Sequence, residues 1–335
     1  MAKKNQTKNR TIYYFRNQFS KLSNYNVRLS LEELVEQAWD KLNTTEERSF
    51  YFGDEKFVLG MKKSSRRVSL KSGNDSCTVL SLGLYEQGAK ANTITKPSKS
   101  AKELEADIYD APENGEYLDG EAFVCIFGNH LLSSPSAMLK ESHIHKFFEE
   151  LLFSGGFTEE SNLLDIQQIA NIDTLKTIET EGVKSITINA ATYLATMKHM
   201  KRVNKSTKTG KMLHKITNLV SSTLDLLRDD ETDEEMVEKE GLNTRVVLTH
   251  DGRGLGVNSE DGQNKAVKTA KLLASSTAGG YTILTKKGTK FTNDDTILKQ
   301  VVKVNRHGKS VVLEEIWQKL VTTLEFHEKN GLLEQ

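Results

Sequence analysis

Apolar residues recur along the chain at two periods, and the change from one to the other marks out helices and strands. From Ser30 to Leu42, "SLEELVEQAWDKL" places Leu31, Leu34, Val35, Ala38 and Leu42 at helical spacing. Ser30 stands as the cap and Glu33 at the capping-box position, so a helix is predicted there. "TIYYF" before it, and "RSFYFGDEKFVLGMKK", "RRVSLK" and "CTVLSLGLYE" after it, are rich in Val, Phe, Tyr and Leu and broken by Gly, the pattern of antiparallel strands. "GEAFVCIFGNHLL" predicts one fully buried strand. "SPSAMLKESHIHKFFEELLFSGG" predicts a helix with Pro135 near its start and Gly155 and Gly156 at its end.

Further on, "NLLDIQQIA" and "VKSITINA" predict strands on either side of the short helix "IDTLKTIET". Two helical segments follow, "ATYLATMKHM" and "GKMLHKITNLVSSTLDLL". Then come the strand "TRVVLTH", the helix "GQNKAVKTAKLLASS", and "YTILTKKGTKFTND", a hairpin turning at Lys-Lys-Gly. "TILKQVVKVNRHG" predicts another strand, and residues 309–330 a long terminal helix ended by Gly331. No internal repeat occurs. The expected class is α+β, with mixed or antiparallel sheets, packed helices and a long C-terminal helix.

A chain of 335 residues exceeds one ordinary core, so two domains are expected. Residues 1–10 form a basic tail, 11–85 an N-terminal α+β domain, and 119–335 a larger α+β domain. Between them, 86–118 holds two of the three prolines and little periodicity, as a linker or long loop does. No apolar run approaches the roughly 18–20 residues that cross a bilayer, and "MAKKNQTKNR" lacks the apolar core of a secretory signal, so a cytoplasmic location is expected. Cys77 and Cys125 lie in apolar strands without partners at metal-ligand spacing and are read as reduced core residues.

Formal net charge is zero, yet the charge is segregated. Lys198 to Lys215, "KHMKRVNKSTKTGKMLHK", has seven bases and no acid, while Asp225 to Glu240 has nine acids and two bases. As helix, loop, helix, the first stretch aligns Lys198, Lys201, Arg202 and Lys205 on one face, and Lys208, Lys211 and Lys215 continue the line. Such a stripe matches phosphates, each neutralised phosphate adding salt-sensitive affinity. Without aromatic residues it suits duplex backbone rather than splayed bases. The plain alternative is a solvated helix face offset by its acidic neighbour. That neighbour reads as an exposed loop or as an arm that covers the stripe until nucleic acid displaces it. "KKSSRRVSLK", Lys62 to Lys71, would extend the surface, or merely guard an edge strand.

No constellation carries catalysis. His250–Asp251, ahead of Gly252, Gly254 and Gly256, lacks the further ligands of a metal phosphohydrolase, and its glycines match no dinucleotide or P-loop motif. His143 and His145, two apart on a helix, point to different sides. "DEK", Asp54 to Lys56, sits at a Gly53 turn and fits a Mg²⁺ nuclease poorly, and "NRHGK", Asn305 to Lys309, reads as a polar turn. No catalytic residue, metal site or cofactor is assigned, and an enzyme is the less favoured reading.

The order "RTIYYF", "LEELVEQAWDKL", "YFGDEKFVLG", "GEAFVCIFG", "SPSAMLKESHIHKFFEELL", "VKSITINA" feeding a Lys-rich helix, and a long closing helix resembles the RexA-like proteins of phage exclusion and related phage-defence proteins. That resemblance implies a two-domain α+β protein that dimerises, binds duplex DNA without strong sequence preference, and senses infection for abortive infection, with a membrane-protein partner as effector. This chain is longer and carries the acidic segment, so its DNA-contacting residues are assigned by charge alone. Two alternatives stand beside it: a metal-dependent nuclease using His250 and Asp251, and a protein-interaction module. The latter would use Val311, Leu313, Ile316, Trp317, Leu320, Leu324 and Phe326 of the terminal helix as a dimer seam, although that face is more simply core.

Overall fold

The run "CTVLSLGL" has no polar alternation, and a strand made from it needs cover on both faces. The computed structural model, which describes residues 6–19, 26–71, 73–94, 96, 99, 102–103, 105–189, 245–249, 259–274 and 280–333, provides that cover. Strand β1 (Thr7–Asn17) precedes helix α1 (Leu31–Lys41), and β2 (Ser49–Tyr51), β3 (Lys56–Leu70) and β4 (Gly73–Glu86) follow. A small hairpin, β5 (Ala91–Ile94) and β6 (Ala106–Tyr109), leads to β7 (Leu118–Phe127), β8 (His130–Ser134), α2 (Glu141–Ser154) and α3 (Thr158–Leu163). Next are β9 (Ile166–Gln168), α4 (Ile172–Glu181), β10 (Val183–Asn189), β11 (Arg245–Thr249), α5 (Ser259–Ala274), β12 (Tyr281–Thr285), β13 (Lys290–Thr292) and α6 (Asn293–Thr296). The chain closes with β14 (Lys299–His307), β15 (Ser310–Val311) and α7 (Leu313–Lys329).

These elements fall into two units. One comprises Met1–Tyr13, Lys21–Leu164 and Lys299–Gln335, the other Tyr14–Ser20 and Asp165–Leu298. In the first, strands are ordered β15-β14-β1-β8-β7-β4-β3-β2, with antiparallel pairing along β2-β3-β4-β7-β8. Cys77 to Leu84 of β4 are all buried. On one face Thr78 donates to Glu36 of α1 at 2.6 Å, and the rings of Trp39 (α1) and Phe147 (α2) close over Gly60. On the other face lies α7, whose buried Ile316, Trp317, Leu320, Val321 and Leu324 replace water over the sheet. Each such side chain contributes roughly 1.5–3 kcal/mol by its removal from water. The Trp317 indole N–H donates to the Leu80 carbonyl at 3.1 Å, so its polar edge is satisfied inside the core.

The second unit has a four-stranded antiparallel sheet, β11-β10-β12-β13. Val183, Ile186 and Ile188 of β10 are buried with Ile283 of β12 against Ile178 of α4 and Ala270 and Leu273 of α5. Gly182, at φ +70°, turns the end of α4 directly into β10, a conformation that side chains with a Cβ resist. Glu181 accepts from the hydroxyls of Thr285 and Thr289 at 2.6 and 2.7 Å, tying α4 to the β12–β13 hairpin and lowering the carboxyl's pKa.

The α+β class, the antiparallel sheets and the C-terminal helix agree with the sequence reading; several details differ. "GEAFVCIFGNHLL" is a hairpin, because Gly128 takes φ +56° and lets the chain reverse between β7 and β8. Helix α2 begins at Glu141, well after Pro135, with the Lys140 amide donating to Nδ1 of His143. Ser310 and Val311 pair with β14, so α7 starts only at Leu313. Residues 86–118 lie within the first unit, joining two strands that pair side by side.

A Cβ at Gly60 would stand 2.7 Å from two Trp39 ring carbons and 3.1 Å from Phe147. Gly60→Ala is therefore expected to cost about 1–3 kcal/mol through overpacking, read as an earlier midpoint in urea unfolding; an unchanged midpoint would show that α1 and α2 yield freely.

Candidate nucleic-acid interface

Of the basic residues singled out in the sequence, those of "KKSSRRVSLK" are placed by the structure. All but the last lie on β3, a strand that outruns its neighbour β2, whose pairing covers only Phe57 to Leu59. Alternation sends Lys62 and Arg66 to the face of α7, where they lie 5.4 and 5.2 Å from the Trp317 ring centroid. Arg66 also pairs with Glu314, and Lys63 with Asp40 of α1 at 2.5 Å. Farther along, the Ser69 and Lys71 amides donate to Glu325 at 2.8 Å and Glu328 at 3.1 Å. The acids of α7 thus answer Arg66 and the amides at the end of β3. Lys62 and Arg66 sit against α7, and Lys63 against α1.

Lys198, Lys201, Arg202, Lys205, Lys208, Lys211 and Lys215, the acidic segment 225–240, and the His250–Asp251 turn all lie outside the described residues.

The remaining candidates have structural partners. His143 meets Phe52 edge-on, with ring centroids 5.9 Å apart, while burial pushes His145 down to about 4. The two imidazoles stand in different surroundings, as helical spacing requires. Asp54 and Glu55 occupy the left-handed turn between β2 and β3, at φ 51° and 57°, with Gly53 at 94°. "NRHGK" forms the β14–β15 turn around Gly308. Cys77 and Cys125 are fully buried with their sulfurs 3.5 Å apart, and the Cys77 contact together with burial raises the Cys125 thiol well above its ordinary pKa. A thiol so held is a poor nucleophile.

Sequence reasoning passed over two charges, a half-buried Glu32 and a buried Arg10. Glu32 takes the Thr78 amide at 2.8 Å and the Gly128 amide at 2.7 Å, locking the first turn of α1 to β4 and the β7–β8 turn; burial nevertheless raises its pKa. Arg10 donates to the Glu121 and Ser134 carbonyls, both at 3.3 Å, and lies 5.1 Å from the Phe123 centroid. Only its position in a strand of alternating burial hinted at this. Among the described residues no group of three or more His, Cys, Asp or Glu could hold a metal ion, and no helix is long and apolar enough to cross a membrane.

The fold defines an α+β protein whose first unit wraps an antiparallel sheet between helices. No protein-family model matches the chain, and no curated protein is significantly similar to it.

His327, buried on α7, has its pKa pushed down to about 4 by desolvation. In the unfolded chain the imidazole takes its proton near pH 6.5, before the folded one does, so stability should fall as pH drops from about 6.5 towards 4. Urea unfolding across that range should show His327→Leu losing on the order of 2 kcal/mol less than the parent protein; parallel curves would place the proton elsewhere.

Proposed function

We propose that this is a cytoplasmic, non-enzymatic protein of phage defence that binds duplex DNA through its phosphates, without strong sequence preference, as the sensor or regulator of an abortive-infection response. The observation that carries the reading is the run from Lys198 to Lys215, seven bases unbroken by an acid in a chain of zero formal net charge. The resemblance to RexA-like exclusion proteins in the order of elements supports the same reading, and with it a homodimer and a separate membrane-protein effector. The partners of Arg66 and Lys63 within the first unit favour assigning the phosphate contacts to the 198–215 stretch rather than to β3.

The mechanism asked of such a stretch is simple. Each lysine or arginine that approaches a phosphate releases condensed counterions, so affinity comes from the backbone and falls steeply with salt. Lys198, Lys201, Arg202 and Lys205 would follow one groove edge, with Lys208, Lys211 and Lys215 extending the contact. The acidic segment Asp225 to Glu240, offering carboxylates in place of phosphates, would compete for the same bases when DNA is absent.

The test is fluorescence anisotropy with an arbitrary duplex of about 30 base pairs across a range of salt concentrations. Reversing Lys201, Arg202 and Lys205 together to Glu should weaken binding to all sequences alike and lower the salt slope by roughly three. Arg66→Ala, whose charge is already paired, should leave binding unchanged. Unaltered binding by the triple variant would remove the stretch from the interface, and cleavage of the duplex with added Mg²⁺, lost in Asp251→Ala, would instead favour a nuclease.

A further inference from the structure

The hairpin β5–β6 is an arm without cover. Among the described residues its strands pair only with each other, and of its eight residues Ala91 alone is even partly buried. The ladder sets Ala106 opposite Ile94 and Ile108 opposite Asn92, so both isoleucines lie on one face, 63% and 66% exposed. Tyr109, 54% exposed, stands on the other face. A free two-stranded ribbon is marginal in water, and an apolar face left open on one marks a contact surface.

The root of the arm is braced. Lys90 pairs with Asp110 at 2.9 Å, the Gly88 amide donates to the Glu116 carboxylate, and the Tyr117 hydroxyl donates to the Asp110 carbonyl at 3.0 Å. There the arm adjoins a second uncovered patch. Tyr51, Phe57, Tyr85 and Leu118 stand side by side across β2, β3, β4 and β7. Phe57 is stacked on Tyr85 and met edge-on by Tyr51, both at 5.4 Å between ring centroids. Tyr51 and Leu118, at the ends of the row, are 59% and 48% exposed.

Charge decides what fits. At the tip, Lys96, Lys99 and Lys102 outnumber Glu103 and Glu105, while towards the root Asp107, Asp110, Glu113 and Glu116 face Lys90 alone. Among the described residues, those tip charges, Asp107 and Glu113 form no ion pair. The acids of the root repel phosphates, whether of nucleic acid or of a membrane surface. A second copy of the chain supplies the complement, a basic apolar tip for each acidic aromatic root.

We propose that two copies of the chain pair through crossed arms about a two-fold axis, the isoleucine face of each arm lying on the other copy's Tyr51–Leu118 row. This names the surface of the homodimer proposed above and requires none of the duplex contacts. A stable pair buries roughly 800 Å² a side, more than a hairpin face with four residues per strand offers, so the rows are part of the contact.

Sedimentation equilibrium on the full chain tests the pairing. A dimer that dissociates on dilution is expected. Ile94→Asp with Ile108→Asp should leave only monomer, and because both side chains are exposed the core is untouched. Reversing Lys96, Lys99 and Lys102 to Glu should weaken pairing by about tenfold or more, as should Asp107→Lys with Glu113→Lys. Mixing these two charge variants should restore it, since each reversed tip then meets a reversed root. A parent chain that stays monomeric overturns the proposal. So does a dimer that survives Ile94→Asp with Ile108→Asp, an outcome that keeps the homodimer but moves it to another surface. A mixture that fails to pair overturns the tip-to-root arrangement. Should the aspartate variant misfold, seen as loss of cooperative urea unfolding, the charge-reversed mixture decides alone. The Lys201, Arg202 and Lys205 reversal should leave the mass unchanged, so failure here and failure of duplex binding are separate results.

Discussion

Trp317 meets the sheet in three ways at once: its ring fills the α7 face of the first unit, its N–H satisfies the Leu80 carbonyl, and its π-surface receives Lys62 and Arg66. The constraint behind this is β4, which has no side to give to solvent and so requires a helix on each face. With α7 in place, Glu314, Glu325 and Glu328 along that helix reach the bases and amides of β3. Packing therefore brings the charges together, and the ion pairs follow from it. Exposed pairs contribute little by themselves, typically about 0–1 kcal/mol.

Much of the fold is legible in the pattern of residues. The capping box of α1 forms as written, Ser30 and Glu33 each bonding the other's backbone amide at 3.3 and 2.7 Å. Continuous apolar runs correctly signalled burial on both faces. What periodicity misses is chain reversal within an apolar stretch. "CIFGNHLL" carries a single Gly-Asn at its turn, and the hydrophobic count on either side conceals it. Pro135 misled in the opposite sense, since proline suits a helix start but does not require one.

The chemistry was less legible, for a physical reason. A sequence records charges but not their partners, and the acids that neutralise β3 come from a helix some 250 residues later, as Arg66 and Glu314 show with a separation of 248. The same blindness hid Arg48, an ordinary arginine in "EERSF" that folding carries beneath Trp39. Burial converts a common residue into a demanding one, and composition gives no sign of it. Cys77 and Cys125 illustrate the reverse, residue types known for reactivity that packing renders inert.

The first unit is assembled from three separated stretches of chain, with the second unit's residues threaded between them. During synthesis, β4 and β7 leave the ribosome well before α7, which must wait for more than a hundred intervening residues. At ordinary elongation rates of about 5–20 residues per second that delay is on the order of ten seconds. For this interval one apolar face of the central sheet is uncovered while the second unit has time to form. The newborn chain thus passes through a stage at which strands of the first unit hold an apolar face open to water, and a truncation that removed α7 would leave that face uncovered.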